Sequence, residues 1–290
     1  DEVFVGVGAS RVKNLFTKAR KQAPCIIFID EIDSIGQNRS DTKYMNNSTT
    51  LNKILMEMDG FKENENIMVM ASTNRADVLD KALLRSGRFD TKIYIDQPNK
   101  KERIELFNLY LEKLMLFDNI DKKILSDKLS NMTPGMTGAD IANICNQAVI
   151  NSVSDKSVFV TEISLIKAID DIGIGIEKKS RKVSDEHLKV VAYHEAGHAL
   201  LGYILKDGKS PVKVSIIPRG HGNLGYTMPY NNEDTQITKE QLIAEIYSLL
   251  AGRAAEIVKF NKITTGAGND FERATHILSD MVTKRGMFIP

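Results

Sequence analysis

The feature that most constrains this chain is the pentapeptide His194-Glu195-Ala196-Gly197-His198. Two histidines four positions apart face the same way on an α-helix, one turn above the other, with the carboxylate of Glu195 beside them. That spacing lets two imidazoles meet one tetrahedral zinc ion while Glu195 points at the remaining open position, where it can take a proton from water. The flanking runs Val190-Val191-Ala192-Tyr193 and Ala199-Leu200-Leu201 are apolar and helix-compatible, so the motif belongs on a largely buried helix. Gly197 costs such a helix about 1 kcal/mol relative to alanine. Something large must therefore approach the backbone there, either substrate or a neighbouring helix.

Two histidines leave zinc one protein ligand short, and the third has to come from a distant part of the fold. Asp234, Glu240, Glu245, Glu256, Asp270, His221 and His276 all follow the motif, and spacing does not separate them. Asp270 ends the glycine-rich run Thr264-Thr265-Gly266-Ala267-Gly268-Asn269, where a plain helix N-cap would serve equally well.

A chain of 290 residues, 42% of them hydrophobic, can build two or three domains with their own cores. Its 39 basic and 38 acidic side chains leave a net charge of +1, so no global field draws it to nucleic acid or anionic lipid. Its two cysteines, Cys25 and Cys145, indicate neither a disulfide framework nor a thiolate metal site, and a reducing compartment is the simpler reading. No apolar run approaches the roughly 18 residues of a membrane span, and Asp1-Glu2-Val3-Phe4 does not resemble a signal peptide. The sequence reads as a soluble part of a longer protein.

Along the first third, β-rich runs (Ile26–Ile29, Ile67–Ala71, Lys92–Ile95) alternate with helical patterns (Ser10–Lys21, Thr49–Met58), the rhythm of a parallel α/β sheet. After Gln97-Pro98 the pattern is helical, over Lys101–Leu114, Ile120–Leu129, Gly138–Ser152 and Val160–Ile169. The glycine-rich, then basic, stretch from Gly173 to Lys182 predicts a linker. Beyond it, Val212–Pro218 reads as a strand, and Lys239–Phe260 and Phe271–Lys284 read as helices. The glycine-rich Gly222-Asn223-Leu224-Gly225-Tyr226-Thr227 predicts an edge near the motif, to which an extended peptide can add as a strand.

A second constellation lies upstream. Cys25-Ile26-Ile27-Phe28-Ile29-Asp30-Glu31 is an apolar strand ending in two carboxylates, the layout of a Walker B element. A second strand ends in Ser72-Thr73-Asn74-Arg75, and Arg85-Ser86-Gly87-Arg88-Phe89-Asp90 follows.

With these pieces in place, the chain resembles the FtsH family of AAA+ ATP-dependent zinc metalloproteases over essentially residues 1–290. The resemblance implies an α/β AAA+ module with a partial parallel sheet (1–97), a helical lid (98–172), a linker (173–184) and a mainly α-helical zinc metallopeptidase domain (185–290). It implies that Asp30 supports magnesium, Glu31 activates water, Asn74 reads the γ-phosphate, and Arg85 and Arg88 are arginine fingers acting on a neighbouring subunit. Gly138 and Ala139 would pack near adenine and ribose, although Thr137 as an ordinary helix cap explains that segment nearly as well. Phe4, Val5 and Gly6 would line a pore that grips unfolded polypeptide, and Asp270 would be the third zinc ligand, with Glu195 as base.

The cofactors implied are Zn2+ and ATP with Mg2+, and the assembly a homo- or hetero-hexamer that unfolds, translocates and cleaves misfolded or membrane proteins. Membrane attachment, in a bacterial plasma membrane or a mitochondrial or plastid membrane, would come from a segment outside this chain. The phosphate-binding loop Gly-x-x-x-x-Gly-Lys-Ser/Thr does not occur within residues 1–290. The resemblance places it upstream, so residues 1–290 alone are not expected to hydrolyse ATP, and the peptidase domain is expected to continue past Pro290. Two rival readings are an unfoldase or assembly chaperone whose protease is inactive, and a zinc peptidase without ATP coupling. The intact His194, Glu195 and His198 argue against the first, and Asn74, Arg85 and Arg88 against the second.

Overall fold

A computed structural model describes residues 7–36, 45–60, 66–117, 120–178, 183–220, 224–230 and 236–287. The chain divides into two compact units, residues 1–95 and 96–290.

In the first unit, α1 (Val7–Lys21), β1 (Cys25–Ile29), α2 (Met45–Asp59) and β2 (Ile67–Ala71) follow in order. The strands pair in parallel, Cys25 opposite Ile67 through Ile29 opposite Ala71. A parallel pair needs a crossover, which α2 supplies. Strand alternation sends Ile27 into a core with Phe16, Ala19, Ile54 and Met58, while Ile26, Phe28, Met68 and Met70 face outward and are exposed. The strand expected over Lys92–Ile95 does not form: these residues lie in irregular backbone, with Ile93, Tyr94 and Ile95 all exposed. An apolar run becomes a strand only where a sheet edge pairs with it, and the described residues offer this one no partner.

The second unit opens with four helices, α3 (Lys100–Leu111), α4 (Lys122–Asn131), α5 (Gly138–Ser154) and α6 (Glu162–Gly173). Side chains of Asn99, Asp121, Thr137 and Thr161 cap their first turns, which fixes where each helix starts. Phe107, Leu111, Leu129, Ile141, Ile144, Ala148, Leu165 and Ile169 form the core between them.

The remainder comprises α7 (Asp185–Ile204), β3 (Pro211–Ser215), β4 (Tyr226–Pro229), α8 (Lys239–Phe260) and α9 (Gly268–Thr283). Strands β3 and β4 form an antiparallel hairpin, Lys213 opposite Met228 and Ser215 opposite Tyr226, with Val212 and Met228 packed against the α3–α6 core. Part of the expected linker is stitched down rather than free. Gly220 N–H donates to the Ile176 carbonyl at 3.1 Å and Lys178 N–H to the Pro218 carbonyl at 3.0 Å. At the same crossing a Cβ on Gly175 would fall 2.7 Å from the Gly220 Cα, and both glycines have positive φ (118° and 51°). Among the described residues no helix is long and apolar enough to cross a membrane.

Candidate active site

Helix α7 starts at Ser184, whose hydroxyl accepts the His187 N–H at 3.3 Å, and Asp185 and Glu186 complement the positive end of the helix. Its tightest neighbour is α8. A Cβ on Gly197 would lie 2.5 Å from the Ala251 carbonyl oxygen and 2.9 Å from the Ala255 Cβ, so what approaches the motif glycine is a helix. The same close crossing lays both imidazoles over Gly252, where a Cβ would stand 2.6 Å from Nε2 of His194 and of His198.

Helix α8 also fixes both tautomers. His194 Nδ1 is 2.7 Å from Glu256 Oε1, and His198 Nδ1 is 2.7 Å from the Ser248 carbonyl oxygen. Both partners accept, so each Nδ1 donates its proton and each ring turns Nε2 inward. The two Nε2 atoms are 3.0 Å apart, and Asp270 Oδ2 lies 3.2 Å from the first and 3.5 Å from the second. Three electron-pair donors this close repel unless a cation stands among them. Tetrahedral zinc, with bonds of about 2.0–2.2 Å, asks for donors roughly 3.3 Å apart, so the set fits. Among the described residues, His194, His198 and Asp270 are the group gathered in this way, with ligand atoms within 4.8 Å of one another.

Asp270 is not a cap, since Ala267 holds the N-cap position of α9; the carboxylate sits in the first turn, at the positive end of the helix. Burial opposes its charge, but hydrogen bonds from His194 and His198 outweigh burial and hold its carboxyl below the ordinary 3.8. Burial likewise disfavours the His194 imidazolium, yet the bonds to Asp270 and Glu256 prevail and lift it above 6.5.

Glu195 is 7% exposed. Burial raises its carboxyl above the ordinary 4.5, against the lowering effect of the Thr227 hydroxyl, which donates to Oε2 at 2.8 Å. A cavity of about 290 Å3 opens beside it, walled by the two histidines and Asp270 together with Tyr226 and Thr227 of β4.

Of the other ligand candidates, Glu256 stands behind His194 rather than at the metal position. Glu245 pairs with Lys209 at 2.8 Å, and Glu240 and His276 are exposed. His221 and Asp234 lie outside the described residues. Reading the sequence for ligands missed the supporting set of Glu256, the Ser248 carbonyl, Gly252 and Thr227. A signal for most of it was present: Ser248, Gly252 and Glu256 recur every four residues on one stripe of α8, with a glycine in mid-helix that local propensity disfavours.

In the first unit, Asp30 and Ser72 follow directly on the parallel strands β1 and β2, at the same sheet edge, and the Ser72 hydroxyl donates to Asp30 Oδ1. Glu31 sits in a turn with φ of 50°, and Asn74 is exposed just beyond Ser72. Arg85 is exposed, whereas Arg88 is committed within its own unit: Nε and the terminal NH2 group (NH2) donate to Asp59 at 2.7 and 2.6 Å, and NH1 to the Ala82 carbonyl at 2.7 Å. In the second unit, Gly138 opens α5 under a Thr137–Asp140 capping box, the ordinary helix start. Phe4, Val5 and Gly6 lie outside the described residues.

A helix-borne histidine pair with a carboxylate between its members, closed by a third ligand, an aspartate from a neighbouring helix, is the architecture of a metallopeptidase domain. Here it follows an α/β unit and a helical lid of the AAA type. The family models agree: "ATPase family associated with various cellular activities (AAA)" matches residues 1–97, "AAA+ lid domain" residues 124–164, and "Peptidase family M41" residues 181–288. The chain belongs to the FtsH family of AAA+ zinc metalloproteases.

It is 45% identical over 292 residues to the ATP-dependent zinc metalloprotease FtsH 4 of Synechocystis, an alignment covering 99% of this chain and 46% of that protein. It is 46% identical to FtsH of Rhodothermus marinus, covering 99% and 41%. With the mitochondrial inner membrane m-AAA protease component YTA10 of Saccharomyces cerevisiae it shares 45% identity, covering 99% and 38%. The chain thus spans less than half the length of these relatives.

Proposed function

We propose that the protein is an ATP-dependent zinc metalloendopeptidase, with residues 98–172 as its lid, 173–184 as a linker and 185–290 belonging to its peptidase domain. The observation that carries this reading is the convergence of His194 Nε2, His198 Nε2 and Asp270 Oδ2 while both Nδ1 protons are held on α8. His194, His198 and Asp270 would hold zinc, which when bound supplies Lewis acidity to the peptide carbonyl and to the attacking water. Glu195 Oε2 accepts the proton of that water and returns it to the leaving amine nitrogen, and its raised proton affinity suits both transfers. Thr227 keeps that carboxylate turned into the cavity. Among the described residues the edge of β4 away from β3 pairs with no strand; β4 borders the cavity, and an extended substrate is expected to add there as a strand.

For the whole protein we infer the ATP dependence that its relatives' names state, and propose a membrane-attached hexamer that threads unfolded or membrane proteins. ATP with Mg2+ would be read by Asp30, Glu31, Asn74, Gly138 and Ala139, Arg85 and Arg88 would act across subunits, and Phe4, Val5 and Gly6 would line the pore. Arg88 must leave Asp59 to act in this way. The test is degradation of casein by the full-length protein with and without ATP. Cleavage should require ATP and zinc, and should vanish in Glu195→Gln; unfolding activity that survives alongside no cleavage by the native protein would favour the chaperone reading.

A further inference from the structure

Between the match to the lid, ending at residue 164, and the match to the peptidase, starting at 181, lies the end of α6. There Asp170, 3% exposed, accepts two hydrogen bonds from the hairpin strands and pairs with a cation of their connection. Tyr226 OH donates to Oδ1 at 2.7 Å and Lys213 Nζ to Oδ2 at 2.6 Å, while Arg219 NH2 forms an ion pair with Oδ2 at 3.1 Å. Arg219 NH1 also donates to Asp171 at 2.7 Å. One buried carboxylate thus grips both strands.

The hairpin faces two ways. Side chains alternate along a strand, so Tyr226 and Met228 point to the helical lid while Gly225 and Thr227 point to α7. Packing leaves no slack on the α7 side: a Cβ on Gly225 would come within 2.7 Å of Val191 Cγ1 and 2.9 Å of Glu195 Cγ. The Thr227 hydroxyl lies 2.8 Å from Glu195 Oε2 and 3.1 Å from the Glu195 carbonyl oxygen. From Asp170 to the base carboxylate the path therefore runs through one hydrogen bond, one peptide link and a second hydrogen bond.

We propose that Asp170, a residue of the lid helix, is a positioning residue for peptide hydrolysis: by holding Tyr226 it fixes the β4 register that sets the Thr227 hydroxyl on Glu195. The inference rests on Glu195 being the base. Its consequence is that displacement of α6 against the hairpin loosens the base without touching a metal ligand, so the lid acts on the peptidase site through β4 as well as along the chain.

The test uses the full-length, zinc-loaded protein and a short fluorogenic peptide that needs no unfolding. Tyr226→Phe removes one hydroxyl and keeps the ring; it should lower kcat about 3–10-fold, with KM and zinc stoichiometry unchanged. Thr227→Val should lower kcat at least as much and Thr227→Ser should restore it. Tyr226→Phe on top of Thr227→Val should cost no more than Thr227→Val alone, because the two act in series. Hydrogen exchange of the Tyr226, Thr227 and Met228 amides should quicken in Tyr226→Phe and in Asp170→Asn. If Tyr226→Phe leaves kcat and β4 exchange unchanged, or if the two losses multiply, the proposal is overturned even where Asp170→Asn misfolds. Glu195→Gln run in parallel separates the cases: full activity there would sink the assignment of the base instead.

Discussion

Glu256 stands behind His194, its Oε1 2.7 Å from Nδ1 and on the far side of the ring from Asp270. Its other oxygen accepts the Thr264 N–H at 3.0 Å, so one buried carboxylate orients the imidazole and anchors the loop that leads to Asp270. Glu256→Gln keeps the size and weakens the acceptor. We expect zinc affinity to fall about 10–100-fold with helix content unchanged, read by competition against a fluorescent chelator; native affinity in that variant would remove Glu256 from the site's support.

Gly252 and Gly197 predict opposite failures. Alanine at 252 puts a methyl 2.6 Å from both inward nitrogens, so Gly252→Ala should lose zinc, although alanine favours the helix by about 1 kcal/mol. Alanine at 197 meets α8 backbone instead, and should cost about 1–3 kcal/mol by forcing the helices apart. Metal analysis alongside thermal unfolding distinguishes them, and Gly252→Ala with full zinc content would contradict the crowding argument.

The metal-free protein should become less stable as pH rises. Because the folded state holds the His194 proton more tightly than the unfolded chain does, its contribution is complete below 6.5 and is lost as pH climbs through the raised folded value. Asp270 works in the opposite direction, contributing above 3.8 and failing only as pH falls through its depressed value. In chelator-treated protein Tm should therefore drop as pH rises above 6.5, and His194→Ala should flatten that drop. Loaded protein should instead shed zinc on acidification, because metal and proton compete for the same Nε2 lone pair.

Arg85 and Arg88 should separate in a stability measurement. Arg88 ties the end of α2 to the Ala82 turn, so Arg88→Ala should lower the Tm of the first unit, modestly because Asp59 is half exposed and solvent screens the pair. Arg85→Ala, on an exposed side chain, should leave Tm unchanged and lower only ATP turnover. Equal Tm losses in both variants would refute the distinction.

Helix extents were the most legible part of the chain, because they are written locally. The helix expected over Lys239–Phe260 runs from Lys239 to Phe260, started by the Thr238–Gln241 capping box and ended by Asn261 at positive φ. The helix expected over Phe271–Lys284 begins earlier, at Gly268, which carries Asp270 into the first turn and out of the cap position. Lys92–Ile95 misled because a strand is a relationship with a neighbour and its residues state only a tendency. At the site, the histidine spacing shows which two atoms converge. Which carboxylate faces them and which stands behind depends on how α7 crosses α8, and that distance is set by Gly197 and Ala251.

The alternation of Tyr226 and Thr227 makes the 216–225 connection a reading frame. Losing or gaining one residue there, with β3 kept in place, would turn Thr227 toward Asp170 and present the Tyr226 ring to Glu195, exchanging the two faces of the strand at a stroke. Length changes there that shift β4 are therefore expected to cost activity in two distinguishable ways: a shift by one exchanges the faces, and a shift by two keeps them but carries the Thr227 hydroxyl about 7 Å along the strand and away from Glu195, a difference that a deletion series can read directly.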